Sequence, residues 1–421
     1  MACLKRYNIC NGVNFNYINC EKFKTGKISI TFFLPLNEKT ASANFVLSNM
    51  LKRQCAKYPG LLEIDKKLSE LYGASLFSHV FKLGEIHGFT ISLTGIENKY
   101  ALNKEPIFEN LASLLSELIF NPYLDENGLF SKEDLEDQKR ELLEKIDAEF
   151  NNKRIFAKHR CEELMCKNEA FAVNRYGSKK EVENLSAQDI YSAWRRNLKN
   201  AKVEIMQIGS SDCSYAKDIF EKAFAKIDRT HIEECTTEIK QANGIHEYSD
   251  IMKLSQCKLV MGFRAKNYNI DSMCLKLMSA IFGGTPNSKL FLNVREKMSL
   301  CYYCSSQYNK DKSILLVQSG VEKENIEKAK TEILNQLSEM QSGNFSLEDI
   351  DAAKKSMINN LNEKNDSLSD IENFYISQVF DSKILSIHEA TEKINNITKE
   401  QIVEAAQGVV LDTIYVLRGE A

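Results

Sequence analysis

The sequence predicts an α+β fold built from two tandem homologous domains, each with helices layered against a sheet. Three observations predict it: a length of 421 residues, motifs that recur at a nearly constant offset, and short segments in which polar and apolar residues alternate. A single hydrophobic core rarely serves so long a chain, so we expect at least two domains. With 43% hydrophobic and 27% charged residues, the composition is that of an ordinary globular protein.

The charge balance, the N-terminal residues and the length of the apolar runs argue against several classes of protein. The 55 Lys and Arg residues nearly offset 58 Asp and Glu residues, so the chain lacks the basic character of a dedicated nucleic-acid binder. Residues 1–8 contain no apolar signal segment, and no run approaches the roughly 18 apolar residues of a membrane span. The 12 cysteines, several within apolar runs, are typical of free thiols. We therefore expect a cytoplasmic protein without nucleic-acid or membrane partners.

Two sequence landmarks recur with almost the same offset, which indicates a duplication. Residues 130–135 recur at 345–350, an offset of 215, and residues 184–190 recur at 396–402, an offset of 212. In every copy a Ser or Thr is followed three residues later by Asp or Gln, an arrangement that caps helix N-termini. Because a short match alone is weak, the prediction depends on the two offsets agreeing.

The same order of elements is predicted in both halves of the chain. The pairs, first half then second half, are a strand (27–34; 258–263), an apolar helix (41–51; 272–282), a helix-to-strand passage (68–95; 290–320) and a final strand (203–206; 414–417). The polar tract 228–250 is the predicted linker. It separates an N-terminal domain, 1–227, from a C-terminal domain, 251–421.

Few residues suggest metal or redox chemistry by their spacing. No two of the 6 histidines are four residues apart, as zinc-binding pairs on a helix are. His79, Glu85 and His87 could share one strand face because all three are odd-numbered, although a solvent-exposed face is the simpler interpretation. The CxxC motif of Cys301 and Cys304 would place its thiols on opposite faces of a strand, so we expect neither a metal site nor a redox pair there.

Residues 283–302 carry more specific information than any other stretch. Gly283 and Gly284 end an apolar helix, and a new helix is predicted to place Arg295 near its C-terminal end, where the helix dipole favours a cation. Tyr302 begins the next predicted strand. From these residues alone, a helix cap followed by a core tyrosine explains the pattern as well as a functional site does.

This stretch resembles the signature of the second homologous domain in the pitrilysin/insulinase family of zinc peptidases, the inverzincins. The family pattern is a glycine-rich turn, then Ser-x-Leu-Phe, then Arg-Glu-x-x-x-Leu-x-Tyr, and the match runs from Gly283 to Tyr302. The order of elements in the two halves is also similar, so the resemblance implies the duplicated, metalloprotease-like LuxS/processing-peptidase fold. It further implies that Arg295 and Tyr302, which match the family's substrate-holding residues, bind a peptide near its scissile bond.

The first half departs from the family pattern. Active members carry His-x-x-Glu-His on the first helix, for zinc binding and water activation, whereas residues 43–51 read ANFVLSNML and contain neither His nor Glu. The later helix offers Gln138, Glu141 and Glu144, and one carboxylate is not a zinc site. The resemblance therefore implies an inactive member with no catalytic residue and no metal ligand of its own.

The resemblance implies a noncatalytic subunit of a heteromeric zinc metallopeptidase that is inactive as a peptide hydrolase on its own. A homologous partner would carry the zinc, and Arg295 and Tyr302 would contact an extended peptide substrate in trans; a homodimer is also compatible with the family. Two alternatives stay open. The chain could be a purely structural or peptide-binding module without a proteolytic role, or an autonomous metalloenzyme that uses His79, Glu85 and His87.

Overall fold

A computed structural model describes residues 4–265 and 270–420. Its strands are β1 (Leu4–Cys10), β2 (Val13–Asn19), β3 (Thr25–Pro35), β4 (Ser75–Leu83), β5 (Ile86–Ile96), β6 (Lys202–Gly209), β7 (His246–Met252), β8 (Cys257–Ala265), β9 (Cys301–Asn309), β10 (Ile314–Val321) and β11 (Val409–Gly419). The helices of the first half are α1 (Glu38–Arg53), α2 (Leu61–Glu70), α3 (Ile107–Phe120), α4 (Lys132–Asn151), α5 (Lys153–Met165), α6 (Lys179–Asn184), α7 (Ala187–Asn200) and α8 (Ser214–Phe224). Those of the second half are α9 (Ser272–Ser279), α10 (Ile326–Gln341), α11 (Leu347–Glu363), α12 (Leu368–Ile376), α13 (Ile387–Asn395) and α14 (Lys399–Gln407).

The chain forms two compact units, and each contains one sheet. Unit 1 comprises Met1–Asp147, Val173–Thr236 and Ser367–Ile384, and unit 2 comprises Ala148–Ala172, Thr237–Asp366 and Leu385–Ala421. The strand order is β1-β2-β6-β3-β5-β4 in unit 1 and β7-β11-β8-β10-β9 in unit 2. Helices and strands are mixed in both units, which confirms the predicted α+β class.

The two sheets share a five-strand pattern, as a duplicated fold requires. The order β2-β6-β3-β5-β4 of unit 1 has its counterpart in β7-β11-β8-β10-β9 of unit 2. In both sheets the first pair of that series is parallel and the other pairs are antiparallel. Unit 1 adds β1, which pairs antiparallel with β2.

The recurring Ser/Thr motifs do cap helices. Reciprocal capping boxes, in which each partner's side chain accepts from the other's backbone N–H, join Ser186 with Asp189, Ser346 with Asp349 and Thr398 with Gln401. At the remaining copy, Ser131 accepts from the backbone N–H of Asp134 at 3.3 Å, and the first turn of α4 begins there. These local contacts place the helix starts that the sequence analysis predicts.

Each unit includes a segment from the other half of the chain. Helix α5 belongs to unit 2, where it packs on β8 and β11, and α12 belongs to unit 1, where it contacts β6. The sequence analysis predicts contiguous domains at 1–227 and 251–421 and does not anticipate this exchange. The apolar stripe of a helix shows which face is buried, but it does not show which sheet buries it.

Residues 246–250, assigned by sequence to the linker, lie in strand β7. This strand pairs in parallel with β11 at the edge of the unit 2 sheet, and four of its seven side chains in a row are exposed. An exposed edge strand carries no apolar alternation, so its sequence reads like a linker. Within 4–265 and 270–420, no helix combines the length and apolar character needed to cross a bilayer.

Candidate functional site

Helix α1 of unit 1 carries the segment where the resembling family has its metal motif. The Asn37 side chain caps the helix by accepting from the backbone N–H of Lys39, and every residue from Ala41 to Leu51 is buried. Strands β4 and β5 and helix α7 pack around it. A helix that is enclosed on most sides explains why this segment reads as a nearly continuous apolar run.

The polar side chains of this helix are already engaged by neighbouring groups. Asn44 contacts the Nδ1 atom of His87 at 3.2 Å and accepts from the side chain of Asn197 at 3.0 Å. The Ser48 hydroxyl donates to the backbone carbonyl of Phe45 at 2.8 Å. Neutral amide and hydroxyl oxygens bind zinc poorly compared with His, Cys, Asp and Glu, so this helix does not fit the zinc ion that the family fold implies.

Aromatic and amide groups fill the rest of this position. The ring of Phe45 packs edge-on against Tyr176, with centroids 5.4 Å apart. The Asn49 side-chain oxygen accepts from the Ser78 hydroxyl on β4 at 3.0 Å. These contacts tie α1 to the strand beside it and leave its side chains committed to packing.

His87 is a buried neutral histidine, and the expectation of a solvent-exposed face is wrong for it. Its Nε2 atom lies 3.0 Å from the carbonyl oxygen of Arg175, which makes Nε2 the donor and leaves Nδ1 to accept from Asn44. Burial lowers the pKa of His87 to about 4, although the carbonyl of Arg175 partly offsets that effect. The imidazole therefore satisfies two buried polar groups in its uncharged form.

His79, Glu85 and His87 do not share a strand face, contrary to the odd-number argument. In the β4–β5 hairpin His79 pairs with Thr90, so even-numbered residues of β5 share its face while His87 lies on the other. Glu85 lies in the turn between the strands. Odd numbering does not mark one face across this hairpin, because the two-residue turn pairs each odd-numbered residue of β4 with an even-numbered residue of β5.

The later helix does not supply a zinc site either. Gln138 on α4 is buried, Glu141 pairs with Lys145 at 3.5 Å, and Glu144 is exposed. In the part of the chain that the structure describes, no group of three or more His, Cys, Asp or Glu side chains is arranged to hold a metal ion.

Arg295 lies on a π-helical segment of unit 2. After α9, the chain forms π-helical turns over Ala280–Gly284 and Leu290–Lys297, where the sequence predicts one helix end and one ordinary helix. The Arg295 guanidinium stands 4.5 Å from the centre of the Phe291 ring, and its Nε lies 3.5 Å from the Glu296 carboxylate. Its side chain is 40% exposed. The cation is thus held against a ring while its side chain stays partly exposed.

Tyr302 is an exposed residue of strand β9, not a core tyrosine. It is 67% exposed, although Cys301 before it is buried. Strand β9 is the last strand of its sheet and pairs with β10 on one side. Leu292 and Met298, in the preceding segment, are also large apolar side chains that stay exposed. In this part of unit 2, an exposed phenol therefore lies on the edge strand, and two exposed apolar side chains lie in the segment that precedes it.

Sequence reasoning missed one group of this region, the thiol pair of Cys301 and Cys304. Both thiols are buried and lie on the same face of β9, whereas regular alternation predicts opposite faces. Cys301 lies opposite Val321 and Cys304 opposite Ser319, which are only two residues apart, because a bulge at Tyr302 interrupts the register. No sequence signal distinguishes this bulge from regular strand.

The chain matches a model of a known protein family over part of its length. A model described as "Peptidase M16 inactive domain" matches residues 184–357. A Bacillus subtilis (strain 168) protein named "Probable inactive metalloprotease YmfF" is 30% identical over 413 residues, which cover 97% of this chain and 96% of that protein.

Solved structures resemble the whole chain. The crystal structure of a conserved protein from Enterococcus faecalis V583 has a TM-score of 0.89, with 26% identity over 99% of both chains. A peptidase M16 inactive domain from Pseudomonas fluorescens has a TM-score of 0.79, with 15% identity over 99% of this chain and 98% of that chain. At that lower identity the likeness speaks for the fold alone.

Proposed function

The chain belongs to the M16 family of peptidases, among its inactive members, and on this premise we propose that it is a cytoplasmic, noncatalytic subunit of a heteromeric zinc peptidase. A homologous partner chain supplies the zinc, and Arg295 and Tyr302 of this chain bind the extended peptide substrate in trans. The family assignment confirms the resemblance predicted from residues 283–302. The assembly and the substrate contacts are the new part of the proposal.

The first support is that unit 1 lacks the metal ligands of active members, whereas unit 2 keeps the two residues that match the family's substrate-holding pair. In unit 1, Phe45, Ser48 and Asn49 stand in the helix where active members have metal ligands, and their side chains are packed or hydrogen-bonded. In unit 2, the side chain of Arg295 is 40% exposed and Tyr302 is 67% exposed. This contrast is the observation that carries the proposal, because the metal motif is replaced while the two residues that match the family's substrate-holding pair are kept and lie at the surface.

Arg295 and Tyr302 suit a peptide by their donor chemistry. A guanidinium presents several N–H donors and a phenol one O–H donor, and both groups can hydrogen-bond to peptide carbonyl oxygens. Phe291 holds the Arg295 guanidinium by a cation–π contact, which reduces the freedom that binding would otherwise remove. A preorganised donor contributes most when charge develops on the carbonyl oxygen during cleavage.

Strand β9 offers the backbone part of such a site. It is an edge strand, so the peptide groups on its outer side are available to a further strand. A peptide that pairs with a sheet edge gains affinity from backbone hydrogen bonds, and pockets for alternate side chains give selectivity. The exposed side chains of Leu292, Met298 and Tyr302 supply apolar surface for those side chains.

The proposal is tested by reconstituting the chain with a zinc-bearing homologue from the same genome. We expect cleavage of an extended fluorogenic peptide only when both chains are present, and zinc bound in a one-to-one ratio to the assembly. Arg295→Ala should lower kcat by about 100-fold, the loss typical of a missing transition-state donor. Tyr302→Phe, which removes one hydroxyl, should lower kcat/KM by about tenfold.

Two surface substitutions are matched controls. Lys297→Ala removes an exposed cation from the same segment as Arg295, and Tyr123→Phe removes the hydroxyl of a surface tyrosine of unit 1. Both variants should keep wild-type turnover. If Arg295→Ala does so as well, the composite site does not exist. Tight peptide binding without cleavage beside every zinc-bearing homologue would instead establish the alternative, a peptide-binding module without a proteolytic role.

A further inference from the structure

The thiols of Cys301 and Cys304 form a pair inside unit 2, beneath the exposed Tyr302. Their side chains are hydrogen-bonded to each other, and the Ser319 hydroxyl on β10 interacts with both. They are 9% and 4% exposed, respectively, and both belong to the hydrophobic core of the unit. Placement of two thiols on one face of a strand is the first requirement for a covalent link between them.

The bulge at Tyr302 also brings the backbone into range of such a link. Because Cys301 and Cys304 lie opposite Val321 and Ser319, the strand advances by about two residues between them, or about 6.6 Å. Disulfides join Cα atoms that are about 4.4–6.8 Å apart. Without the bulge the separation would be three residues, about 10 Å, with the side chains on opposite faces. The strand irregularity thus brings the two Cα atoms within the upper end of the disulfide range and puts both side chains on one face.

The chemical environment distinguishes Cys301 from the other thiols. The hydrogen bond from Cys304, opposed by burial and assisted by Ser319 and the positive charge of Arg295, lowers the pKa of Cys301 to about 7. Burial raises the pKa of Cys55, Cys161 and Cys274 instead. A thiolate is the reactive form of cysteine, so the lowered pKa of Cys301 favours its reaction near neutral pH over that of Cys55, Cys161 and Cys274.

We propose that Cys301 and Cys304 are a reversible dithiol–disulfide pair that small peroxides oxidise. The Cys301 thiolate attacks one oxygen of hydrogen peroxide and breaks the O–O bond; the released hydroxide takes up a proton as water, and Cys301 becomes a sulfenic acid. The Cys304 thiol then attacks the Cys301 sulfur, and a second water leaves as the S–S bond forms. Two thiols lose two electrons and two protons, and one peroxide is reduced to two waters.

The position of the pair suits a small oxidant and a local effect. Cys301 is only 9% exposed, so we expect a small oxidant, and not a protein oxidant, to react there. Tyr302 lies between the two cysteines along the chain, so a disulfide would fix the bulge on which the phenol stands. We expect the backbone amides of residues 301–304 to exchange with solvent more slowly after oxidation. This effect does not depend on the proposed peptidase assembly.

The experiment treats the reduced full-length chain with one equivalent of hydrogen peroxide at pH 7 and maps thiols by mass spectrometry. We expect one peptide containing both Cys301 and Cys304 to lose two hydrogens before any other cysteine reacts, and dithiothreitol to restore it. Cys301→Ser should abolish this product and the fast reaction. Cys304→Ser should leave Cys301 trapped as a sulfenic acid that dimedone labels. Cys274→Ser, which alters another buried thiol of unit 2, should oxidise like the wild type.

Two results would overturn the proposal. One is oxidation of other cysteines while Cys301 and Cys304 stay reduced in folded protein. The other is accumulation of sulfinic acid on Cys301 in the wild type, which would mean that Cys304 cannot reach it. Circular dichroism of each variant shows whether it is folded, and the wild-type map alone decides between the outcomes if a variant is not.

Discussion

The two sheets are covered on their second face by different chemistry, although their strand order is the same. In unit 1 that face mixes polar and aromatic groups: Ser29 and Thr31 lie on β3, the Thr31 hydroxyl contacts that of Thr90 at 2.8 Å, and α12 meets this surface with Glu372. On the same face of β3, Phe33 packs edge-on against Phe380, with ring centroids 5.1 Å apart. In unit 2 the corresponding face is apolar, and its cluster joins α5 and its following turn to the sheet. The members of that cluster are Ala157, Cys161, Met165, Cys166, Phe171, Val260, Ile314, Leu316, Tyr415 and Leu417.

Both covers nevertheless carry a buried carboxylate that pairs with a cation of the sheet. In unit 1, Glu372 accepts from the Lys27 ammonium at 2.6 Å and from the Ser29 hydroxyl. In unit 2, Glu169 pairs with Arg264 and Lys312, each at 2.6 Å. The difference between the covers teaches that duplication has kept the topology and the exchange of one helix, while the surrounding contacts have diverged. Unit 1 combines hydroxyl contacts and one ion pair with aromatic packing, and unit 2 combines an apolar cluster with a larger ion cluster.

The largest expected effect comes from removing the charge of Glu169 in unit 2. Glu169→Gln leaves Arg264 and Lys312 without their shared counter-charge, although Arg264 keeps Asp412 at 2.9 Å. All of these side chains are nearly inaccessible to water, so we expect the free energy of unfolding to fall by about 3–5 kcal/mol. Urea dependence of amide hydrogen exchange in β8 and β10 measures it.

Glu163→Gln is the matched control for that change. Glu163 lies on α5, the exchanged helix, but it is 54% exposed and pairs with Arg160 at the surface. Exposed pairs contribute little, so this variant should stay within about 0.5 kcal/mol of the wild type. Equal losses from Glu169→Gln and Glu163→Gln would mean that the ion cluster does not hold the cover in place.

A somewhat smaller loss is expected from Glu372→Gln in unit 1. This variant removes the carboxylate partner of one buried cation, Lys27, whereas Glu169→Gln removes a carboxylate that two cations share. The glutamine oxygen can still accept from Ser29, so we expect a loss of about 3 kcal/mol. Fluorescence of Trp194, the one tryptophan of the chain, follows unfolding of unit 1 because this indole is buried there.

The double substitution Lys27→Met with Glu372→Leu sharpens the comparison. Replacing a buried ion pair by apolar groups is often neutral, so this variant should regain most of the stability lost by Glu372→Gln. Asn373→Ala, at an exposed position of α12, should leave the Trp194 transition unchanged. A double variant as unstable as the single one would show that the covered sheet face of unit 1 requires the charges themselves.

Local sequence patterns predict much of each unit, and the rest depends on which strands pair and in which register. Strands β3 and β8 and helix α1 follow from alternation and apolar runs, and the capped helix starts follow from short-range side-chain contacts. The exchange of α5 and α12, the face of His87 and the bulge at Tyr302 depend on which strands pair and in which register. These are long-range outcomes that a residue's immediate neighbours do not encode.

The candidate site shows the same division. The sequence identifies Arg295 and Tyr302 by a motif, and the structure finds both side chains at the surface of unit 2. Their role as substrate contacts stays a prediction. The Cys301–Cys304 pair escapes sequence reasoning because one inserted residue changes the face on which a side chain lies.

The smallest expected effect, about 2 kcal/mol at pH 5, separates the two units by pH. Strand β5 of unit 1 carries the buried His87, and its counterpart β10 in unit 2 has no titratable side chain. Burial lowers the pKa of His87 to about 4. As the pH falls below about 6.5, this histidine therefore binds a proton in the unfolded chain but not in the folded unit. Unit 1 should therefore lose stability between pH 6.5 and 4, as reported by the Trp194 transition.

Unit 2 should respond only at lower pH. Burial alone would raise the pKa of Glu169, but the hydrogen bonds and charges of Arg264 and Lys312 hold it below its ordinary value. The stabilisation from Glu169 is complete above the ordinary carboxyl pKa of about 4.3 and is lost as pH falls through the lower folded value. His87→Leu should flatten the Trp194 response between pH 6.5 and 5 at some cost in stability, since Asn44 loses a partner. His87 cannot titrate in that variant. If the pH slope of the Trp194 transition is nevertheless unchanged, other groups cause the acid sensitivity of unit 1.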